Sequence, residues 1–517
     1  MIEEHTIVNN QYFDSVFLMR VAKRIGDAEG IKQAAAVMAT AKNLDALAQA
    51  GYAGVKGLVA SPSDLIVAIK AESTESASRV LDRIEDWLAA EHIASTIETV
   101  TSLDEAVTLE PESNLAIISI PGEYAALEAH RALNLGLNVF IFSDNVALDD
   151  EIEIKRFAND RGLIVMGPDC GTSIIGGVGI GFANSVRRGS IGVVGPSGTG
   201  IQEVTSLIHN AGSGISQAIG TGSRDLSDAV GGISTLSALD ALEADPETKV
   251  IVIVSKPPGK STLKRLRKRM EEIDTPVVTC FIGERQAPDV SRKRIIETYD
   301  LAEAAHFAIQ LINGSGASYG TQISETVVEA EKARMGPGQK YVRGIFSGGT
   351  LSYQAQVIMA QAGLKVYSNA ALDGNLNLPD SFQSLKHSMI DMGADDFTRG
   401  RPHPMIDPTL REERIRAESQ DPEVAVLLLD FILGYGASDD PAGDLVTAIV
   451  EAKETVRRRG GHLTVVASNC GTPEDAQGLS NQNQSLEAAG VLVTQNSVEA
   501  ARFAGLLALS LDERGSR

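Results

Sequence analysis

A glycine-rich turn occurs twice in this chain of 517 residues. Apolar residues lead into Gly195-Pro-Ser-Gly-Thr-Gly200 in the first copy and into Ser347-Gly-Gly-Thr350 in the second. An offset of 151 residues superposes Gly198-Thr199 on Gly349-Thr350. Each copy predicts a strand, a tight turn and a helix whose first N–H groups lack acceptors, a place suited to an anion. Glycine that only permits the turn remains the alternative. The predicted phosphate or carboxylate ligands are Gly195, Ser197, Gly198, Thr199, Ser347, Gly348, Gly349 and Thr350.

A second pair of related turns contains two of the three cysteines. Asp169-Cys170-Gly-Thr172 and Asn469-Cys470-Gly-Thr472 both follow predicted buried strands. One interpretation is that both turns contact a ligand at the strand ends, with a thiol as nucleophile. The other is that the two turns merely share small residues. On the first interpretation Cys170 is catalytic, and the substrate-binding residues are Asp169, Asn469, Cys470 and Gly471.

The polar segment from about 376 to 418 is predicted to be an insertion in the last domain. Its histidines and aspartates are irregularly spaced, which favours a solvated or subunit-facing loop over a metal site. We predict no metal. Its arginines suit either a carboxylate clamp or a partner contact. The residues concerned are His387, Asp391, Asp395, Asp396, Arg399, Arg401, His403, Asp407 and Arg411.

Composition restricts the partners. The formal net charge of −22 and a pI near 4.9 argue against nucleic acid and against an acidic membrane surface. Three distant cysteines do not make a disulfide framework or a structural zinc site. No apolar run reaches membrane-spanning length, so a soluble cytoplasmic protein is expected.

Hydrophobic periodicity predicts an α/β chain with several domains. In the first, we predict strands at Asp14–Arg20 and Leu65–Ile69 and helices at Gly30–Ala50 and Ser76–Glu91. The predicted boundaries, in chain order, are a small α+β, ferredoxin-like domain at 1–97, a parallel α/β layer at 98–187, an α/β domain at 188–315, a linker at 316–339 and a second α/β domain at 340–517.

The run from Asn114 to about Asn313 resembles the α subunit of the succinyl-CoA synthetase superfamily. The landmarks are Ile118-Ser-Ile-Pro121, Gly167-Pro-Asp-Cys170, the Ser-Gly-Thr turn at 197–199, Asp245-Pro246 and Pro276-Val-Val278. With its doubled ligase-type domain and altered N-terminus, the whole chain resembles FdrA-type proteins. The resemblance implies that the layer at 98–187 is a truncated, Rossmann-like CoA-binding-type domain and that the domains at 188–315 and 340–517 are flavodoxin-like, succinyl-CoA-synthetase-type ligase domains.

In that superfamily two helices point their N-termini at a phosphorylated histidine. The resemblance places the first helix after Gly198-Thr199. It leaves two positions for the second, after Gly349-Thr350 or after Leu433-Gly-Tyr-Gly-Ala-Ser438, so Gly434 and Gly436 join the predicted anion ligands.

This sequence departs from the family at the reacting groups. The histidine loop aligns with Gly283–Val290, which has no histidine, and the family's Glu-Ile-Gly-Gly loop aligns with Lys256-Pro-Pro-Gly259. The family's first glycine loop for CoA phosphates has no counterpart before Asn114, and there is no ATP-grasp segment. The phosphoryl relay is therefore absent. We predict that Lys256 is catalytic and that Lys260 binds substrate.

The FdrA-type resemblance implies an oxamate carbamoyltransferase of allantoin and purine catabolism, acting on small anions with two companion subunits. The reaction interconverts carbamoyl phosphate plus oxamate with oxalurate plus phosphate. The expected protein is an oligomer that requires no cofactor, although CoA binding is possible. The alternatives are an acyl-CoA synthetase or succinate–CoA ligase-like CoA-binding enzyme, and a non-catalytic regulatory subunit.

Overall fold

The computed structural model describes residues 2–9, 11, 13, 15–55, 58, 60–89, 100–283, 294–314, 324–372, 376–399 and 401–515. The chain divides into two compact units. One contains Met1–Glu110 together with Ala394–Asp407, and the other contains Pro111–Gly393 together with Pro408–Arg517.

The first unit contains an antiparallel sheet of three strands in the order β1-β3-β2. With helices after the first and third strands, this is the predicted α+β, ferredoxin-like arrangement. Its elements are β1 (Ile2–Val8), α1 (Ser15–Gly26), β2 (Ile31–Met38), α2 (Ala41–Gln49), β3 (Leu65–Ala71), α3 (Thr74–Leu81), α4 (Ile84–Ala89) and α5 (Leu103–Leu109).

Of the four elements predicted for this unit, one is wrong and another is wrong only in its first half: the predicted helix Gly30–Ala50 contains strand β2 and then helix α2 (Ala41–Gln49), which confirms its second half. Of the predicted strand Asp14–Arg20, residues 15–20 lie in helix α1, because buried residues recur at helical spacing at Leu18, Val21 and Ile25. The predicted helix Gly30–Ala50 begins with strand β2, whose alanines pair with β3 despite their helix propensity. The strand at Leu65 is confirmed.

The second unit begins with a parallel sheet of three strands in the order β4-β5-β6. This confirms the alternation of strand and helix predicted from the sequence. The elements are β4 (Leu115–Ile118), α6 (Gly122–Asn134), β5 (Asn138–Ile141), α7 (Leu148–Asn159) and β6 (Val165–Met166).

The next sheet has seven strands in the order β13-β12-β11-β9-β10-β7-β8. Five of them are parallel and have the strand order of flavodoxin-like folds, and an antiparallel hairpin, β7-β8, extends one edge. The elements are β7 (Thr172–Ile175), β8 (Val178–Gly181), β9 (Arg188–Gly195), α8 (Gly198–Asn210), β10 (Ile215–Gly220), α9 (Ile233–Ala244), β11 (Val250–Ser255), α10 (Lys260–Glu272), β12 (Val277–Phe281), β13 (Ile295–Thr298) and α11 (Leu301–Asn313).

The last sheet repeats this plan with six parallel strands in the order β15-β16-β14-β17-β18-β19. The elements are α12 (Glu325–Arg334), β14 (Tyr341–Phe346), α13 (Gly349–Gln361), β15 (Val366–Tyr367), β16 (His387–Asp391), α14 (Asp395–Thr398, in the first unit), α15 (Thr409–Glu418), β17 (Val424–Ile432), α16 (Pro441–Arg458), β18 (Thr464–Cys470), α17 (Leu479–Ala488), β19 (Leu492–Thr494) and α18 (Ser497–Gly515).

The segment predicted as a solvated insertion contributes a strand to this sheet. Strand β16 pairs with β14, and its end residues His387 and Asp391 are both buried. The predicted linker 316–339 contains helix α12, whose Glu331 accepts a hydrogen bond from Thr464 Oγ1 at 2.6 Å. Among the helices described, none has the length and apolar character needed to cross a membrane.

Candidate active site

Both glycine-rich turns lie at the carboxyl ends of parallel strands and open helices, which confirms the arrangement predicted from the sequence. Strand β9 ends at Gly195 and α8 begins at Gly198. Ser197 is the N-cap, and its Oγ accepts from the N–H of Gly200 at 3.1 Å. A Cβ at Gly195 would overlap the carbonyl oxygen of Val254 on the neighbouring strand, so only glycine fits there.

The two helix N-termini meet. In the second copy β14 ends at Phe346 and α13 begins at Gly349. The hydroxyl of Thr350 lies 2.7 Å from that of Ser197, and each residue is only 6% exposed. Of the two positions open for the second helix, the one after Gly349-Thr350 is therefore the one joined to the first.

The amides of the second turn already have an acceptor within the chain. The carboxylate of Asp430 accepts from the N–H of Ser347 at 2.8 Å and from that of Gly348 at 2.7 Å. Arg411 Nη2 donates to the same carboxylate at 2.9 Å. The amides of Ser347 and Gly348, predicted to bind a phosphate or carboxylate, thus bind a buried carboxylate of the chain itself.

A second carboxylate adjoins the start of α13. A Cβ built on Gly349 would lie 2.6 Å from Asp391 Oδ2, and Asp391 Oδ1 accepts from the N–H of Gly393 at 3.0 Å. Burial raises the pKa of Asp391 to about 6; Lys256 acts in the opposite direction and Asp430 reinforces the increase. A carboxyl group with this pKa can exchange a proton near neutral pH.

Lys256 follows β11 and is exposed to solvent. Its ammonium lies 5.2 Å from the ring centroid of Tyr353 on α13, within cation–π range. The charge of Asp391 is close enough for Lys256 to lower its pKa. Lys256 therefore follows a strand of one ligase-type sheet and contacts a helix of the other. The carboxylate of Asp391 attracts it, in addition to any substrate anion.

The two halves of the site thus differ in charge. At α13 the positive helix end faces Asp430 and Asp391. At α8, Gly198 and Thr199 are partly exposed, and helix geometry gives their N–H groups no acceptor within the helix. An external anion is best accommodated at α8.

The cysteines have the environment of structural residues. Burial raises the pKa of Cys170 to about 12, and burial followed by the charge of Glu203 raises the pKa of Cys470 well above its ordinary value. A thiolate is the nucleophilic form. The surroundings of Cys170 therefore disfavour the thiolate, and its nucleophilic role stays a prediction.

The two cysteine turns lie at opposite ends of α8. A Cβ at Gly198 would contact Thr172 Oγ1 at 3.3 Å, so the turn of Asp169 and Cys170 adjoins the start of the helix. The carbonyl of Gly471 accepts from Asn210 Nδ2 at 2.9 Å, at the last residue of the helix. These ends are roughly 20 Å apart at 1.5 Å per residue. Gly471 therefore lies far from Ser197, whereas Cys470 adjoins Glu203 in the middle of α8, and the side chain of Asn469 donates to Asn483 Oδ1.

The remaining predicted ligands have other neighbours in the structure. The N–H of Gly434 donates to Gln477 Oε1 at 3.1 Å, and a Cβ at Gly436 would contact Phe182. Lys260 is exposed at the start of α10, where Asp228 already accepts from two backbone amides. Apart from Gly283, the loop aligned with the family's histidine lies outside the described residues.

Three residues of the site escaped the sequence analysis in these roles: Asp391, Asp430 and Tyr353. A signal existed for one of them, since Asp430 is the sole charged residue of the buried strand Val424–Ile432. A lone acid in such a strand indicates a buried partner, which here is Arg411.

Paired helix N-termini on two flavodoxin-like sheets define an acyl-CoA-synthetase-like protein. The sequence profile of the CoA-ligase family matches residues 345–507, that of the CoA binding domain matches 186–281, and that of the AllF heavy metal-associated domain matches 1–102. The chain belongs to the same family as YahF, an uncharacterised protein of Escherichia coli K12. The two are 40% identical over 501 residues, covering 96% of each chain.

The chain is also more distantly similar to a CoA ligase subunit. The α subunit of an ADP-forming succinate–CoA ligase from Methanothermobacter thermautotrophicus is 30% identical over 202 residues, covering 38% of this chain and 66% of that subunit. The ATP citrate lyase of Methanothrix soehngenii superposes with a TM-score of 0.33 at 12% identity, covering 80% of this chain and 86% of that one.

The matched ranges bear on two possible ligands. The CoA-binding match at 186–281 contains the α8 turn, whereas the resemblance had assigned this role to 98–187. Exposed helix amides without a side chain at Gly198 fit a phosphate group of such a cofactor.

Residues 1–102 contain no cysteine, so they lack the thiolates that soft heavy metals prefer. Within the described residues no group of three or more metal-binding side chains occurs.

Proposed function

We propose that this chain is an acyl-CoA-synthetase-like enzyme subunit that transfers an acyl group between phosphate and an acceptor, at the junction of α8 and α13. The observation that carries the proposal is the 2.7 Å contact between Ser197 and Thr350, because it brings two helix N-termini to one place. The CoA-ligase and CoA-binding matches favour the thiol of CoA as the acceptor.

The residues have separate roles in this reaction. The N-terminal amides of α8 hold the phosphate as the bond between the acyl carbon and the phosphate oxygen breaks and the electron pair passes to that oxygen. Asp391 accepts the proton of the attacking thiol. Lys256, next to Asp391, orients the anionic substrate and favours the ionised carboxylate.

A second candidate is the transfer of a carbamoyl group from carbamoyl phosphate to oxamate, as the FdrA-type resemblance implies. The favouring observation is the replacement of the family's reacting groups: Gly283–Val290 lacks histidine, and Lys256 stands where the family has an acid. Such a site holds an anion but cannot carry a phosphoryl group on histidine. This reaction would use two companion subunits and no CoA.

Two assays separate these functions. The chain, alone and with its companion subunits, is supplied with acetyl phosphate plus CoA, and separately with carbamoyl phosphate plus oxamate. Formation of acyl-CoA supports the first candidate, and formation of oxalurate supports the second. If neither product forms under any combination, a regulatory subunit is the correct description. With γ-labelled ATP the chain should remain unlabelled in either case, because the family's histidine is absent.

A further inference from the structure

A cavity of about 440 Å³ lies at the amino edge of the last sheet, away from the acyl-transfer site. Its walls come from residues in or just before strands β14, β15 and β16, together with Asp512 of α18. Since β14 has six residues, roughly 20 Å separate this edge from the turn at Ser347. The lining side chains used below are Lys340, Tyr341, Lys365, Tyr367, Lys386 and His387.

The polar lining consists largely of hydrogen-bond donors. Three lysine ammonium groups donate and cannot accept. His387 is only 6% exposed, and its Nδ1 accepts from the N–H of Val342 at 3.2 Å. A neutral imidazole that accepts at Nδ1 carries its proton at Nε2, so this ring supplies a further donor. A ligand that matches this wall must be rich in acceptors.

The local charge is opposite to that of the whole chain. Against a formal net charge of −22, three lysines line the cavity together with one carboxylate, Asp512. Lys340 is already paired with Glu423 at 2.7 Å, which leaves Lys365 and Lys386 as the principal cations. Burial lowers the pKa of His387 to about 4; Asp512 acts in the opposite direction, while Arg343 and Lys340 add to the decrease.

The backbone at Lys386 is unusual. Its φ is 50°, in the left-handed region that residues other than glycine seldom adopt. The hydroxyl of Ser388 holds this turn by accepting from the N–H of Leu385 at 2.9 Å and donating to the carbonyl of Leu385 at 2.8 Å. A strained lysine that the neighbouring structure holds at a cavity wall indicates a functional role.

We propose that this cavity binds a phosphorylated small molecule with at least two negative charges, held by Lys365, Lys386 and the Nε2–H group of His387. The volume suits a small ligand, and phosphate oxygens supply only acceptors. Tyr341 and Tyr367 flank the cations and provide aromatic surface beside the phosphate position. This site is separate from the acyl-transfer site and does not depend on the reaction proposed there.

The proposal is tested by calorimetric titration of the full chain with inorganic pyrophosphate and with inorganic phosphate. The wild type should bind pyrophosphate saturably and more tightly than phosphate. The double variant Lys365→Gln/Lys386→Gln should bind pyrophosphate at least tenfold more weakly. Lys268→Gln is the matched control, since this lysine of α10 has an 80% exposed side chain, and its affinity should equal that of the wild type.

A site-specific measurement distinguishes this cavity from the α8 turn, which also attracts anions. In spectra of protein with labelled histidine, the His387 signal is assigned by its loss in His387→Gln. Pyrophosphate should shift that signal in the wild type and not in the double variant. Absence of saturable binding, equal affinity in the double variant, or an unmoved His387 signal would each overturn the proposal.

Discussion

The Oγ of Ser197 and the Oγ1 of Thr350 lie 2.7 Å apart, although 153 residues separate them in the chain. Each hydroxyl belongs to a residue at the start of a helix, and the two helices follow strands of different sheets. The contact therefore depends on both ligase-type sheets, and neither glycine-rich turn forms the site alone.

Replacement of Thr350 by valine should test this contact. The variant keeps the shape of the side chain and removes one buried hydrogen bond, while Ser197 still accepts from Gly200. A loss of about 1 kcal/mol in stability is expected. Misalignment of the two helices should lower kcat/KM about tenfold or more.

Thermal unfolding and the acyl-transfer assay measure both effects. Thr108→Val is the control, because that hydroxyl is exposed and bonds within its own helix. Unchanged kcat/KM in Thr350→Val would show that the contact is structural only.

Lys256→Ala should weaken transfer by about ten- to a hundredfold, because charge-assisted contacts contribute roughly 1.5–3 kcal/mol. Lys256→Glu should abolish it. Lys256 lowers the pKa of Asp391, so its removal should move the acid limb of the pH–rate profile to higher pH. Lys268→Ala should retain the wild-type profile. An unmoved acid limb in Lys256→Ala would contradict the pairing of Lys256 with Asp391.

Asp391→Asn should stabilise the protein at neutral pH and abolish transfer. The folded pKa of Asp391 is about 6, against an ordinary value of 3.8. Between these values the folded chain holds a proton that the unfolded chain has lost, so stability falls as pH rises through this window. Asparagine removes this destabilisation, of about 1–3 kcal/mol.

The measurement is the thermal midpoint of both proteins from pH 3.5 to 8. Asparagine can still accept from the N–H of Gly393, so the loop is retained. The variant should be the more stable one at pH 7, and the difference should disappear below about pH 4. A difference that is independent of pH would contradict the buried, proton-binding state of Asp391.

The cysteines should be unreactive in the native protein. All three are free and buried, and burial raises the pKa of each. Thiol reagents at pH 8 should label them only after denaturation. Cys170→Ala should keep the transfer activity. Rapid labelling of one native thiol, with loss of activity, would restore Cys170 as a candidate nucleophile.

Local sequence patterns predicted much of the fold. The strands before both glycine-rich turns, and the helices after them, followed from apolar runs that end in glycine, because a turn at the end of a buried strand is specified by adjacent residues. The same reasoning failed at α1 and β2. A short apolar run does not distinguish a strand from a helix, and alanine adopts either conformation according to the element that it packs against.

The sequence by itself determined that two helix N-termini follow two buried strands, that the family's histidine is missing, and that a lysine replaces its acid. Only the tertiary structure decided that the second N-terminus bonds to Asp430 and adjoins Asp391, and that its Thr350 contacts Ser197 at the first. The physical reason is that the acceptor of a turn amide comes from whichever strand lies beside it in the sheet. Strand order is set by non-local packing, which the residues of the turn do not record.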